Sequence, residues 1–218
     1  MTWDMEYALD VFPRIFEAFL RYTLVVTVLA SALAAALGLV FAVIRRAHVP
    51  IVGPLTSAFI EFVRGTPVPI QLFFLFYVLP DLGLTLSGMV VGVLCLGVHY
   101  ACYYAEVYRA GIDGVPKGQW EACTALSMPR RYVWQRVVLP QAIRNVLPSL
   151  GNYVISMFKE TPFLFLIAVP EMVQEAVQIG GRDFRYIEPV TIAGLIFLAA
   201  SYPSAVAMRK LERRLGHA

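Results

Sequence analysis

Residues 22–44 run for twenty-three positions without a charged side chain, and Arg45-Arg46 follow at once. As an α-helix such a run is about 34 Å long, enough to cross a hydrocarbon core of ~30 Å. Soluble domains have about a quarter of their residues charged, whereas this chain has 15% charged and 59% hydrophobic residues. The expected fold class is therefore an all-α membrane protein, a single domain over residues 1–218. A net charge of +3 is too small to indicate a nucleic-acid partner.

The arginine pair places its end of the run in the cytoplasm by the positive-inside rule, which puts the N-terminus outside. Residues 1–10 carry acids and no basic region, so insertion is expected to be directed by the spans themselves. Residues 8–19 space apolar side chains around Asp10, Arg14 and Glu17; they read either as an interfacial helix or as an outer extension of the first span. Residues 52–79 are apolar but interrupted by Glu61, Arg64, Gly65, Pro67 and Pro69. That pattern gives a helix to about Val63, a break at RGTP, and a second helix from Ile70 to Leu79. Further spans are expected at 84–105, 146–170 and 189–208, the last followed by a basic tail, with 171–188 as an external interval. On this five-span topology twelve of the eighteen Lys and Arg residues lie inside and four outside, while Arg64 and Lys159 fall at membrane depth. The inner excess suits an anionic lipid leaflet.

The longest polar interval, 109–145, is written in helix signals. Gly114, Pro116 and Gly118 break the chain before a helix-forming run at residues 119–126, with Glu121 expected in its first turn, where the helix dipole favours an anion. Pro129 is expected to stop that run and Pro140 to interrupt the next. No GxxxxGK[ST] phosphate loop occurs, so any ATP is bound by a separate polypeptide, and a short cytoplasmic helix suits docking in a groove of that engine. Five spans make a thin bundle that cannot divide into two inverted halves, which points to a dimer with the pathway between two copies.

Glu121-Ala122-Cys123, three residues, Ser127, nine residues and then Val137-x-Leu139-Pro140 resembles the EAA loop of ABC importer permeases. Every interval of that family pattern is kept, with Cys123 for Ala, Ser127 for Gly and Val137 for Ile. The Ser127 exchange weakens the expectation of a left-handed turn, which Gly adopts at little cost. FVRGTPVPIQLFFLFYVLP, AEVYRAGIDGVPKGQWEA and LPQAIRNVLPSLGNYVISMFKETPFL are similar to the polar amino-acid uptake branch of that family. HYACYYAEVYRAGIDGVP and FRYIEP look most like permeases of ectoine and hydroxyectoine importers.

The resemblance implies a type I importer permease with five transmembrane helices and a cytoplasmic coupling helix. Its partners would be an ATPase dimer, a second permease subunit (identical or paralogous), an external solute-binding protein and a small zwitterionic solute. ATP would be held by the ATPase, leaving this chain without a cofactor. Gln119, Trp120, Glu121, Ala122, Cys123, Ala125, Ser127, Leu139 and Pro140 would form the ATPase-coupling element.

Ionisable groups near membrane depth are costly, so Glu61, Arg64, Glu106, Lys159 and Glu160 are expected to pair or to line a cavity. Glu61 and Arg64, three apart, can meet on one helix face. Neighbours diverge by ~100° around a helix, so Lys159 is expected to reach a carboxylate on another span, Glu61 or Glu106, rather than Glu160. Two readings stay open: a structural ion-pair network, or a pathway suited to a zwitterion, with Thr66, Gln71, His99 and Thr161 as neutral lining. Tyr103 and Tyr104 fit the aromatic belt at a membrane interface. Cys95, Cys102 and Cys123, with scattered His48, His99 and His217, form no metal-ligand pattern, and no nucleophile–base pair marks an enzyme. The competing function is an ion-coupled transporter or channel subunit.

Overall fold

Asp4 starts the first helix: its carboxylate accepts from the backbone N–H groups of Glu6 and Tyr7, donors that a helix start otherwise leaves bare. The structure, a computed structural model, describes residues 3–47 and 49–215, so His48 and His217 lie outside the described residues. Helix α1 (Met5–Ala18) continues through a π-helical segment (Phe19–Leu24) into α2 (Val25–Arg46) without a break. The resulting rod, Met5–Arg46, has 42 residues, about twice the length a hydrocarbon core requires. Residues 8–19 thus extend the first span. Their buried face (Ala8, Val11, Ile15) joins Met172, Ala176, Ile179 and Ile192 in a satellite core at that end.

The expected break at RGTP is present. α3 (Val52–Gly65) ends as Thr66 turns extended, and Pro67 leads into α4 (Val68–Phe73), which passes through a π segment (Phe74–Val78) and a 3-10 turn (Leu79–Leu82). The two limbs meet at 106°. The third span is longer than expected: α5 (Gly88–Asp113) carries Glu106 and Arg109 inside the helix rather than after it. Their charges are tolerated because partners on α2 and one turn along α5 neutralise them.

The polar interval departs from expectation in three ways. α6 (Lys117–Ala125) begins two residues early, so Glu121 lies in its second turn and not at the positive end of the dipole. Ser127 adopts the left-handed conformation (φ 53°) despite its side chain. Backbone bonds from Ser127 N to Thr124 O and from Met128 N to Cys123 O close the helix there. Pro140 does not interrupt the following helix. A π-helical segment (Val133–Val138) joins α7 (Arg130–Tyr132) to α8 (Leu139–Glu160), and proline occupies α8's first turn, where a wider upstream turn absorbs its missing N–H.

After α8 a 3-10 segment (Thr161–Ile167) ends at left-handed Ala168. Residues 171–188 are not a plain interval: Glu171 caps an amphipathic α9 (Met172–Asp183), bent 49° from the preceding limb. α10 (Ile187–Arg214) runs on through the basic tail. Among the described residues three helices are long and apolar enough to cross a membrane, or up to five when each bent pair is one span.

The main core forms where α2 lies along α5, with Val26, Ala30 and Ala34 against Leu96, Ala101 and Tyr104. Small residues let the two backbones approach, which is how helices pack tightly in lipid. A Cβ added at Gly38 would lie 2.6 Å from Tyr104 Cβ and 3.0 Å from Ala101 O, and neither atom can swing away. Gly38→Ala is therefore expected to destabilise the purified protein by about 1–3 kcal/mol in thermal unfolding. Gly53→Ala, where an added Cβ meets nothing within 4 Å, is expected to leave stability unchanged or slightly raised.

Candidate functional site

The coupling element predicted from sequence divides into an inner and an outer face. Trp120 and buried Cys123 turn inward, Trp120 packing on Val115, Val138 and Ala142 beside Trp134. The two indoles meet edge to face, with centroids 5.6 Å apart. Gln119, Glu121, Ala122, Ala125 and Ser127 are exposed. Leu126, which sequence reasoning passed over, presents a 73% exposed apolar side chain beside them. Leu139 and Pro140 are exposed at the start of α8. A cleft of about 500 Å³ under α6 is lined by Trp120, Thr124, Met128, Arg130 and Trp134. The small Cys123 fits where the family pattern has Ala because this position is buried against that layer.

The second cluster surrounds the break between α3 and α4. Gln71 Nε2 lies 2.8 Å from Val63 O, 3.0 Å from Thr66 O, 2.8 Å from Thr66 Oγ1 and 3.1 Å from His99 Nδ1. One amide nitrogen with two hydrogens thus faces three oxygen acceptors and the His99 ring nitrogen, and the carbonyls freed at the end of α3 gain a donor. His99 on α5 packs against Tyr100 and Tyr103, and Tyr153 of α8 completes a group of aromatic rings. The Arg64 guanidinium lies 4.8 Å above the Tyr103 ring. Glu160 sits beside the Tyr100 hydroxyl, and its Oε2 is buried with no hydrogen-bond partner among the described residues. Buried Thr161 donates from Oγ1 to Phe158 O at 2.8 Å.

The expected ion pairs are rearranged. Among the described residues no ion pair joins Glu61 to Arg64, because the guanidinium turns to Tyr103 instead. Glu61 and Lys159 are exposed, Lys159 on the outer side of α8, and it meets neither Glu61 nor Glu106. Glu106 belongs elsewhere. It accepts from Arg45 and from Arg109 (3.0 Å), while Asp113 pairs with Arg46 (2.9 Å) and Arg109 (3.1 Å). This clasp ties the ends of α2 and α5 together at the edge facing α6. Sequence reasoning counted its arginines only as topological charges. The signal for it was the spacing of Glu106, Arg109 and Asp113 along one helix face opposite a terminal arginine pair.

The aromatic group, one guanidinium and a carboxylate with one unpartnered oxygen gather around a polar break. The family described as binding-protein-dependent transport system inner membrane component matches residues 19–217. A probable amino-acid ABC transporter permease of Sinorhizobium fredii is 37% identical, over 98% of this chain and 94% of that protein. An L-cystine transport system permease of Bacillus subtilis is 37% identical, over 98% of this chain and 92% of that protein. A crystal structure of an amino acid ABC transporter with histidines superposes with a TM-score of 0.91 at 31% identity, covering 98% of this chain and 100% of that one.

Gln71 gives the site a direct test. Gln71→Leu removes the donor facing the Val63 and Thr66 carbonyls, and the expected cost is about 1–3 kcal/mol in thermal unfolding. Gln71→Glu keeps the shape but, when ionised, donates nothing, and is expected to cost at least as much. Stability equal to wild type in both variants would show that the break does not depend on this amide.

Proposed function

The chain belongs to the binding-protein-dependent transport system inner membrane component family, and from that premise we propose that it carries an amino acid or related zwitterion inward, driven by an ATPase gripping α6. It is a permease subunit of an ABC importer, not an enzyme. Membership in such a system implies an ATPase and a solute-binding protein as partners. The named relatives above, for amino acids and for L-cystine, support the solute class. The single observation that carries the zwitterion reading is the pairing of Arg64 over Tyr103 with the unpartnered carboxylate oxygen of Glu160, on either side of one aromatic group. A guanidinium suits a solute carboxylate, and aromatic faces beside a carboxylate suit its cationic end.

In this reading Thr66, Gln71, His99 and Thr161 are neutral lining around the break. Glu61 and Lys159, exposed on the single chain, face a second permease subunit or the pathway between the two. Glu106 acts at the cytoplasmic clasp. Residues 109–145 are cytoplasmic and the N-terminus is outside. Gln119, Glu121, Ala122, Ala125 and Leu126 form the outer face that enters the ATPase groove; Trp120 and Cys123 hold it from behind. Ectoine or hydroxyectoine is the particular solute proposed, on the resemblance of HYACYYAEVYRAGIDGVP and FRYIEP.

Glu121→Arg is expected to leave the subunit inserted and to abolish most uptake while ATP hydrolysis continues. Normal uptake in that variant would remove the docking role. For the solute, proteoliposomes containing the ATPase and the cognate binding protein are expected to accumulate labelled ectoine in preference to arginine and cystine. Preference for arginine or cystine would keep the importer and discard ectoine.

A further inference from the structure

Arg46 is the last residue of α2, and its contacts among the described residues include two of different kinds. Arg46 Nη1 donates to Asp113 Oδ1 at 2.9 Å, at the last residue of α5. The guanidinium carbon lies 5.5 Å from the centroid of Trp134, in the π segment between α7 and α8. Trp134 in turn stands edge to face with Trp120 of α6, centroid to centroid 5.6 Å at 81°. A continuous line of side chains therefore runs from the helix proposed to meet the ATPase to the end of the first span. Arg46 and Trp134 lie 88 positions apart in the chain, so the backbone supplies no short link between them.

The residue types fit this duty. A guanidinium is planar, so it can lay its face on an indole while its edge donates to a carboxylate; a lysine ammonium is a point charge that cannot do both in one geometry. Arg45, one position earlier, clasps Glu106, and Arg109 bridges Glu106 to Asp113. The ends of α2 and α5 are thus bound by a shared network rather than an isolated pair. A network of partly exposed charges holds better than its members taken singly. α6 itself is short and rests on Val115, Val138 and Ala142 through Trp120. A push on α6 reaches α5 and α8 through that apolar layer, and reaches α2 through the two tryptophans and Arg46.

We propose that Arg46, seated between Asp113 and Trp134, is a positioning residue that makes the packed pair of α2 and α5 follow the movement of α6, so that nucleotide-driven motion turns the first and third spans together. This rests on α6 being the ATPase contact. Without the Arg46–Trp134 contact α6 would still be gripped and hydrolysis would proceed. The paired α2 and α5 would lag, and fewer solute molecules would cross per ATP consumed.

The test uses the complete importer in proteoliposomes and reads solute transported per ATP hydrolysed, with thermal stability measured alongside. Arg46→Gln and Trp134→Leu are each expected to lower that ratio by about threefold, in line with the loss of one cation–π contact. The double variant is expected to be no worse than the weaker single, because both remove the same contact. Trp134→Phe keeps a ring face under the guanidinium and is expected to recover most of the ratio. A merely structural role would lower stability and leave the ratio of surviving complexes intact, and that result overturns the relay. Losses that multiply in the double variant overturn it as well. If Glu121→Arg fails to uncouple hydrolysis, the docking reading falls and the relay with it. If Glu121→Arg uncouples while Arg46→Gln and Trp134→Leu behave as wild type, the relay alone is wrong.

Discussion

A backbone N–H or carbonyl left bare in hydrocarbon costs several kcal/mol, and at the two bent pairs among the described residues side chains meet that demand. At the first break Gln71 and Thr66 serve the carbonyls released at the end of α3. At the second, Thr23 Oγ1 accepts from Met172 N at 3.3 Å, and Glu171 caps the next two amides at 2.9 and 2.6 Å. Both repairs reach across elements or lock a turn. In the proposed pathway Thr66 and Gln71 would serve twice, repairing the first break and lining the space beside it.

Around those breaks α5 acts as a strut. Its middle carries His99, Tyr100 and Tyr103 beside the break, and its far end carries Glu106, Arg109 and Asp113 in the clasp with α2. Close approach at Gly38 and Ala34 locks α2 along the same strut. On the proposed docking, a push at α6 meets a continuous helix of 26 residues leading to the aromatic group. Packed interfaces of this kind move as rigid bodies rather than bending by degrees.

Much of this was legible in the sequence, and the misreadings share a physical cause. Charge-free runs and the RGTP break place the long helices and the kink because hydrocarbon length and proline chemistry are local rules. The extent of α5 was not local: Glu106 and Arg109 look like the start of a loop until Arg45 is set beside them. Pro140 reads as a break, yet a π segment upstream lets the helix continue. Ser127 reaches a left-handed turn because two backbone bonds compensate its side chain. α9 was hidden by its mixed charges, though Met172, Ala176 and Ile179 keep helical spacing behind the Glu171 cap. The short helix of the polar interval was readable from the glycine and proline signals that bound it. The partners of Arg64, Glu106 and Lys159 were not, because spacing fixes which face a long side chain leaves from and not where its tip ends.

The central claim is that the ATPase holds this permease by the outer face of α6. The most direct measurement is site-specific cross-linking in the assembled importer, from cysteines placed one at a time at exposed Gln119 and Ala122 of α6 in a Cys123→Ala background that keeps the buried Cys95 and Cys102, and at exposed Leu82 as the comparison position. The account predicts adducts with the ATPase subunit from both α6 positions and none from Leu82. Adducts absent from α6, or equally abundant from Leu82, would contradict it.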